Sequence, residues 1–441
     1  MQNTRHLLAE RRFLPLFVTQ LLGAFNDNLF KTAMVLFVVY EVYNSAAAEA
    51  SFSALASGLF ILPFFLLSSL AGQLADTRDK AAIIRIVKAC EIVIMLVGGT
   101  GLALAWGGVA VHSFAIPLLL VALTAMGVHS TFFGPIKYAI LPQHLEADEV
   151  LGGTGLVEAG TYIAILMGTI LAGVIPVEVA GGLVILTAIA GYAVSRRVPP
   201  ARPLANAGKR PDYNIVRSSI VLIRSTMRVK RLFLAILSIS FFWTIGAILF
   251  IQFPPLAKNV LTATPEVASA FLAVFSVGIA IGSVAINRLL KGLVSARFAP
   301  AAVLAMGGFV VAFHLVCRSW VPAPAGRFYT PLEFLAQPSA WPLMGCLLGI
   351  AVAGGMFVVP LYAFLTTTVD KSETARTVAA NNIVNSGAMV LGSVIAGALT
   401  SWGVALIDQL LLSAAMCLVS AWLAWLLHRA VREHDTATAL A

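Results

Sequence analysis

Residues 13–40 read FLPLFVTQLLGAFNDNLFKTAMVLFVVY. The run is long enough to cross a bilayer as one helix, for which about 20 apolar residues suffice. In its middle stand Asn26, Asp27 and Asn28, with Lys31 one turn further on. A charged side chain at the bilayer centre costs about 2.5–3.5 kcal/mol on insertion scales, so such residues face a wet cavity or a partner helix. The i, i+4 spacing puts Asp27 and Lys31 on one helix face, acid before base, which is the favourable order. Two readings are open. The pair neutralises itself and serves packing, or its carboxylate and ammonium hold a zwitterionic ligand. The two amides beside the acid favour a site.

The rest of the chain gives this run its setting. Of 441 residues, 59% are hydrophobic and 11% charged, against about 45–50% and about 25% in soluble domains. Mean hydropathy is +0.92. Lipid has to be the solvent for that much apolar surface. The net charge of +9 follows from positive-inside bias rather than from a nucleic-acid partner. Cys90, Cys317, Cys346 and Cys417 lack C-x-x-C spacing, which points to neither a disulfide framework nor a metal site. Arg11 and Arg12 before the first apolar run resemble a signal peptide. The run is too long for an h-region and is interrupted by Asn-Asp-Asn, so it reads as a retained span.

Apolar stretches recur at about 13–40, 51–75, 82–106, 114–134, 150–175, 178–196, 232–257, 267–290, 300–318, 341–366, 376–401 and 404–428. Lys and Arg alternate in density between the connecting segments. Arg5, Arg11, Arg12, Arg78, Lys80, Arg196, Arg197, Arg288, Lys291, Arg297, Arg429 and Arg432 fall on one side, and Lys258, Arg318 and Arg327 on the other. This bias places both termini in the cytoplasm.

The two halves of the sequence repeat each other weakly but in order. Gly72-x-x-Ala75-x-x-Arg78 matches Gly282-x-x-Ala285-x-x-Arg288, Pro117 and Pro135 match Pro342 and Pro360, and Val157-Glu158-Ala-Gly160 matches Val384-Asn385-Ser-Gly387. The expected fold is an all-α membrane protein of twelve transmembrane helices in two pseudo-symmetric six-helix halves, 1–197 and 232–441. This is the major facilitator architecture, with a substrate site near the midplane. The basic stretch 198–231 joins the halves. Ile215, Ile220, Val221 and Ile223 stand there at roughly helical spacing. This suggests an amphipathic helix against anionic headgroups, or else a solvated linker.

Other polar residues inside the spans are candidates. Glu158 in the fifth span needs a cation, a proton or a substrate amine. Lys137, after Pro135, either meets a phosphate or snorkels to headgroups. Asn381, Asn382 and Asn385 form a polar patch in the eleventh span, as a site or as interhelical hydrogen bonds. His129 reads as a hydrogen-bonded packing residue. Lys88 and Glu91, at i, i+3 in a span expected to be peripheral, read as a structural pair. Gly72, Asp76 and Arg78 look like a gating loop, in which Gly72 would let helices approach closely and Asp76 would latch one conformation. No nucleophile–base pair or metal-ligand cluster stands out, so neither an enzyme, a cofactor nor a metal is expected.

Gln20-Leu-Leu-Gly23-Ala-Phe25-Asn26-Asp27-Asn28-Leu-Phe30-Lys31 resembles the first-span signature of bacterial lysophospholipid transporters. Phe132-Phe-Gly-Pro135-Ile-Lys137-Tyr138 resembles their fourth-span signature, and Leu156-Val-Glu158, with Thr161 and Gly168-Thr169, the fifth. Val359-Pro360-Leu361-Tyr-Ala and Ala379-Ala-Asn381-Asn382-Ile-Val-Asn385 resemble the transporter half of fused transporter–acyltransferase proteins. The resemblance implies movement of lysophosphatidylethanolamine or lysophosphatidylglycerol from the outer to the inner leaflet of the bacterial inner membrane. Because the sequence given stops soon after its twelfth span, a separate acyltransferase is the expected partner. H+ and Na+ both stand open as the coupling ion. A small soluble solute, moved with protons on Asp27 or Glu158, is the alternative. For a single-chain lipid, headgroup binding is expected in the N-terminal half and tail binding in the C-terminal half. Trp243 stands where Asp27 would repeat.

Overall fold

The computed structural model describes all residues except 1–3, 147–148, 203–209, 291–294, 369–373 and 441. Its regular structure is helical, with a single isolated bridge between Ala263 and Tyr329. In lipid no water is at hand to satisfy backbone N–H and C=O groups, so a spanning segment closes its hydrogen bonds within itself. The apolar runs therefore become helices. In chain order the long ones are Leu14–Phe37, Ala46–Thr77, Lys80–Trp106, Ile116–Ala139, Val150–Val174 and Val177–Ser195, then Lys230–Asn259, Pro265–Leu289, Ala299–Arg318, Ala340–Thr367, Thr374–Ser401 and Leu406–Leu440. They are called the first to twelfth long helices below. Ten segments among the described residues are long and apolar enough to cross a membrane. Lys80–Trp106 and Val150–Val174 are the other two. The third long helix carries Lys80, Arg85, Lys88 and Glu91, and the described apolar part of the fifth is Ile163–Val174.

Two ends differ from expectation. The fourth long helix does not stop at Pro135 but runs to Ala139 with the proline inside it. Pro63, Pro254, Pro255 and Pro360 are also internal to helices. In a bundle, neighbouring helices and local adjustment re-satisfy the groups a proline frees, so it need not end a span. The twelfth helix continues well past residue 428, where Arg429 Nε donates to Glu433 at 2.8 Å across one turn.

The chain separates into two compact units. One comprises Met1–Val38 and Leu62–Ser218, the other Val39–Ile61 and Ser219–Ala441. The end of the first span and the start of the second thus group with the C-terminal helices. In the first unit the first helix packs on the fifth and sixth, and the third on the fourth and sixth. Gly168 makes the first of these contacts close: a Cβ there would stand 2.6 Å from Phe25 O and 3.0 Å from Leu29 N. Neither backbone atom can yield as a side chain would. Gly168→Val is therefore expected to destabilise the protein by about 1–3 kcal/mol or more, seen as a lower midpoint of thermal unfolding in detergent. In the second unit Gly278 and Gly282 bring the eighth helix onto Leu348, Ala351 and Val352 of the tenth, and Gly392 sits against Thr244. Small residues at helix contacts have this use in membranes.

The linker contains a helix at Ile215–Met227. Val216, Ile220 and Val221 are exposed on it, as are Arg217 and Arg224. Its entry is fixed by Asp212, whose N–H donates to Gln73 Oε1 at 2.7 Å and whose carboxylate pairs with Arg217 at 2.8 Å. The hydrogen bond from Arg217 holds the Asp212 carboxyl below its usual range.

Candidate functional site

Successive residues of a helix point about 100° apart, so Asn26, Asp27 and Asn28 point in three directions. Asn26 is fully buried and its Nδ2 donates to Glu91 Oε1 at 2.8 Å. Asp27 is half-buried, and its Oδ2 accepts from Ser130 Oγ at 2.5 Å. Its Oδ1 is buried with no hydrogen-bond partner among the described residues. Asn28 turns back on its own helix and donates to Ala24 O at 2.8 Å. Asn26 Oδ1 is likewise without a partner among the described residues, but of the three only Asp27 offers a charged acceptor. Lys31 lies half-buried one turn along the same face. An acidic oxygen without a donor inside a span is costly, and a cation or hydroxyl from a ligand would satisfy it.

Lys88 and Glu91 lie deeper in the bundle than the expected peripheral pair. Both side chains are at most 1% exposed, and Lys88 Nζ donates to Glu91 Oε2 at 2.5 Å. His129 Nε2 stands 3.2 Å from the same Oε2, at ion-pair distance but without hydrogen-bond alignment. The His129 ring stacks on Phe133, and the Lys88 ammonium lies 5.3 Å from the centre of the Phe133 ring. Gly23 gives the ammonium its room: a Cβ there would be 2.6 Å from Nζ. The glycine of the first-span motif is thus explained by a lysine on another helix. Gly23→Val is expected to displace that buried ammonium and lower the unfolding midpoint as Gly168→Val does, whereas Gly72→Ala is expected to leave it unchanged.

A second polar layer lies among the first, fourth and fifth helices. Lys137 Nζ donates to Thr161 Oγ1 at 3.3 Å, and Thr161 donates to Gln20 Oε1 at 2.8 Å. Lys137 therefore points at another helix of its unit. The side chains of Glu158 and Tyr138 lie outside the described residues, as does that of Asp76.

In the expected gating loop a Cβ at Gly72 would meet nothing within 4 Å among the described residues, and Arg78 is exposed. Asp79 is a local anchor beside it. Its carboxylate caps the third helix at Ala81 N, 3.2 Å, and accepts from Ala201 N at 2.8 Å, pinning the start of the linker. Loss of such a cap costs about 1 kcal/mol.

In the second unit one polar hub is built of neutral residues. Tyr362 Oη accepts from Trp243 Nε1 at 3.0 Å, Asn385 Nδ2 at 3.3 Å and Asn381 Nδ2 at 3.4 Å, while Ser240 donates to Asn385 Oδ1 at 2.7 Å. Asn381 and Asn385 join this hub; Asn382 is exposed. Trp243, in the place of Asp27, anchors it. Charge does appear at Lys258, which the sequence offered only as an external basic residue. Its ammonium donates to Val39 O at 2.6 Å, Tyr43 O at 2.9 Å and Glu49 Oε1 at 2.7 Å, and Asn259 Nδ2 donates to Glu49 Oε2. Glu49 is fully buried. An acid at the head of a long apolar run was the signal for it.

No group of three or more His, Cys, Asp or Glu able to hold a metal ion occurs among the described residues. The chain is similar over most of its length to proteins named lysophospholipid transporter LplT. It is 26% identical over 376 residues to that of Klebsiella pneumoniae subsp. pneumoniae, covering 82% of each chain. To that of Escherichia coli (strain SE11) it is 27% identical over 383 residues, covering 85% of each. Solved structures share the fold. A bacterial homologue of the lysosomal transporter Spinster aligns with a TM-score of 0.67 at 12% identity, covering 95% of this chain and 97% of that one. The D-xylose–proton symporter also gives 0.67 at 12%, covering 94% and 97%. Residues 16–335 match the family model of the Major Facilitator Superfamily, and with its long apolar helices the chain belongs to that superfamily.

Proposed function

We propose that this protein is a transporter of lysophospholipids, moving lysophosphatidylethanolamine or lysophosphatidylglycerol from the outer to the inner leaflet of a bacterial inner membrane by alternating access, with both termini in the cytoplasm. The observation that carries the reading is Asp27: a mid-span carboxylate with one oxygen taken by Ser130 and the other left for a donor. Lys31, one turn on, suits the phosphate of the same headgroup. A zwitterionic headgroup such as that of lysophosphatidylethanolamine presents both charges, and the LplT proteins that resemble this chain are named for lysophospholipid. Lys137 and Glu158 belong to the same half and extend the candidate site.

The neutral hub of Trp243, Tyr362, Asn381 and Asn385 sits among apolar helices. It carries no charge with which to hold a charged head. The sequence halves 1–197 and 232–441 are the moving parts of this scheme. The linker helix, with its exposed valines, isoleucine and arginines, rests on anionic headgroups. The lysophospholipid delivered to the inner leaflet passes to an acyltransferase. H+ and Na+ remain the candidate coupling ions.

Uptake of lysophosphatidylethanolamine in cells expressing Lys31→Ala, Lys137→Ala or Glu158→Gln tests the site. Each is expected to reduce uptake several-fold. Wild-type uptake in all three, or transport of a soluble solute with no response to lysophospholipid, would contradict it.

A further inference from the structure

The third long helix carries a buried ion pair that the headgroup reading does not use. Stability alone does not call for it, since a buried pair is often no more stabilising than apolar residues of similar volume. What the pair touches gives it a role. Glu91 accepts from Asn26, the residue before Asp27 on the first helix. It also faces His129, the residue before Ser130 on the fourth. His129 Nδ1 stands 3.5 Å from Ser130 Oγ, and Ser130 donates to Asp27 Oδ2. One carboxylate therefore touches the residue before Asp27 and the residue before its partner Ser130.

Tying Asn26 to the third helix fixes the rotation of the first helix about its axis. With Asn26 turned inward, Asp27 points about 100° away from it. His129, 3.2 Å from the same carboxylate, is followed on its helix by Ser130, which occupies Asp27 Oδ2 and leaves Oδ1 as the oxygen offered. Lys88 neutralises Glu91, and Gly23 leaves space for its side chain.

We infer that Glu91 is a positioning residue for the headgroup site: through Asn26 and His129 it sets the direction of Asp27 and reserves Oδ1 for a donor group of the substrate, an ammonium or a hydroxyl. The inference rests on Asp27 being the headgroup residue. Selectivity follows from it. An ammonium gains most from the arrangement, and lysophosphatidic acid, which lacks the ethanolamine, gains least.

The experiment uses the full chain in vesicles and reads apparent KM and maximal rate for lysophosphatidylethanolamine and for lysophosphatidic acid. The double variant K88M/E91L removes the pair without leaving a lone charge. N26L leaves the pair intact and cuts only its tie to the first helix, so it serves if the double variant does not fold. Either variant is expected to raise KM for lysophosphatidylethanolamine about ten-fold, the loss of one charge-assisted hydrogen bond. The maximal rate should fall much less, and the preference over lysophosphatidic acid should collapse. Wild-type KM and preference in a folded variant would overturn the inference when Asp27→Asn is impaired under the same conditions. If Asp27→Asn is itself silent, the headgroup reading fails, and the positioning role with it.

Discussion

Asp27→Asn is expected to cut lysophosphatidylethanolamine transport at least ten-fold while leaving the protein folded. The asparagine has nearly the shape of the aspartate and can still accept from Ser130. What it loses is the charge that Oδ1 presents to a headgroup donor. A hydrogen bond to a charged partner is worth about 1.5–3 kcal/mol, which is about a ten- to hundred-fold change in affinity. Burial raises the stakes, because the low local dielectric strengthens the interaction when it is made. Removing a charge from a span also relieves an insertion cost, so folding should not suffer. Size-exclusion behaviour and the thermal midpoint check the fold, and uptake at several lysophospholipid concentrations separates KM from maximal rate. The effect should fall on KM.

The second large effect is at Lys258. Its three ammonium protons are all donated, two to backbone carbonyls at the end of the first span and one to Glu49. Lys258→Met leaves Glu49 as a buried carboxylate with only Asn259 to donate to it. Breaking one side of a buried pair costs about 3–5 kcal/mol. A loss of that size should appear as a clear drop in the thermal midpoint of the purified protein. Adding Glu49→Gln removes the orphaned charge and should recover much of it, though the carbonyls of Val39 and Tyr43 stay without their donor. A double variant no more stable than the single one would show that the carboxylate is not the source of the loss.

These two sites mark how far the sequence could be read. The helices follow from the lengths of the apolar runs, because a continuous apolar run of about 20 residues fits a spanning helix, whereas a barrel strand is about half that length. Asp27 stood out for the same reason, as a charge where charge is expensive. What Asp27 touches was not legible. Ser130 lies 103 positions away and Glu91 lies 65 from Asn26, and periodicity reports only contacts within a helix. The Lys88–Glu91 pair shows the cost: its i, i+3 spacing is visible, but its contacts with two other helices are not. Pro135 misled because the rule that proline ends a helix is drawn from water. Gly23 and Gly168 were visible as motif residues, yet their reasons, a lysine ammonium and a bare backbone, come from other helices. Gly72 shows the converse, a glycine in a recognisable pattern with open space around it.

The central claim is that the chain moves lysophospholipids across the bilayer. Purified protein in phospholipid vesicles, given fluorescent lysophosphatidylethanolamine in the outer leaflet, tests it directly. The fraction that albumin can no longer extract from outside reports movement to the inner leaflet. Vesicles holding the wild-type protein should lose extractable lipid much faster than empty vesicles or vesicles holding Asp27→Asn. Equal rates in all three would contradict the account.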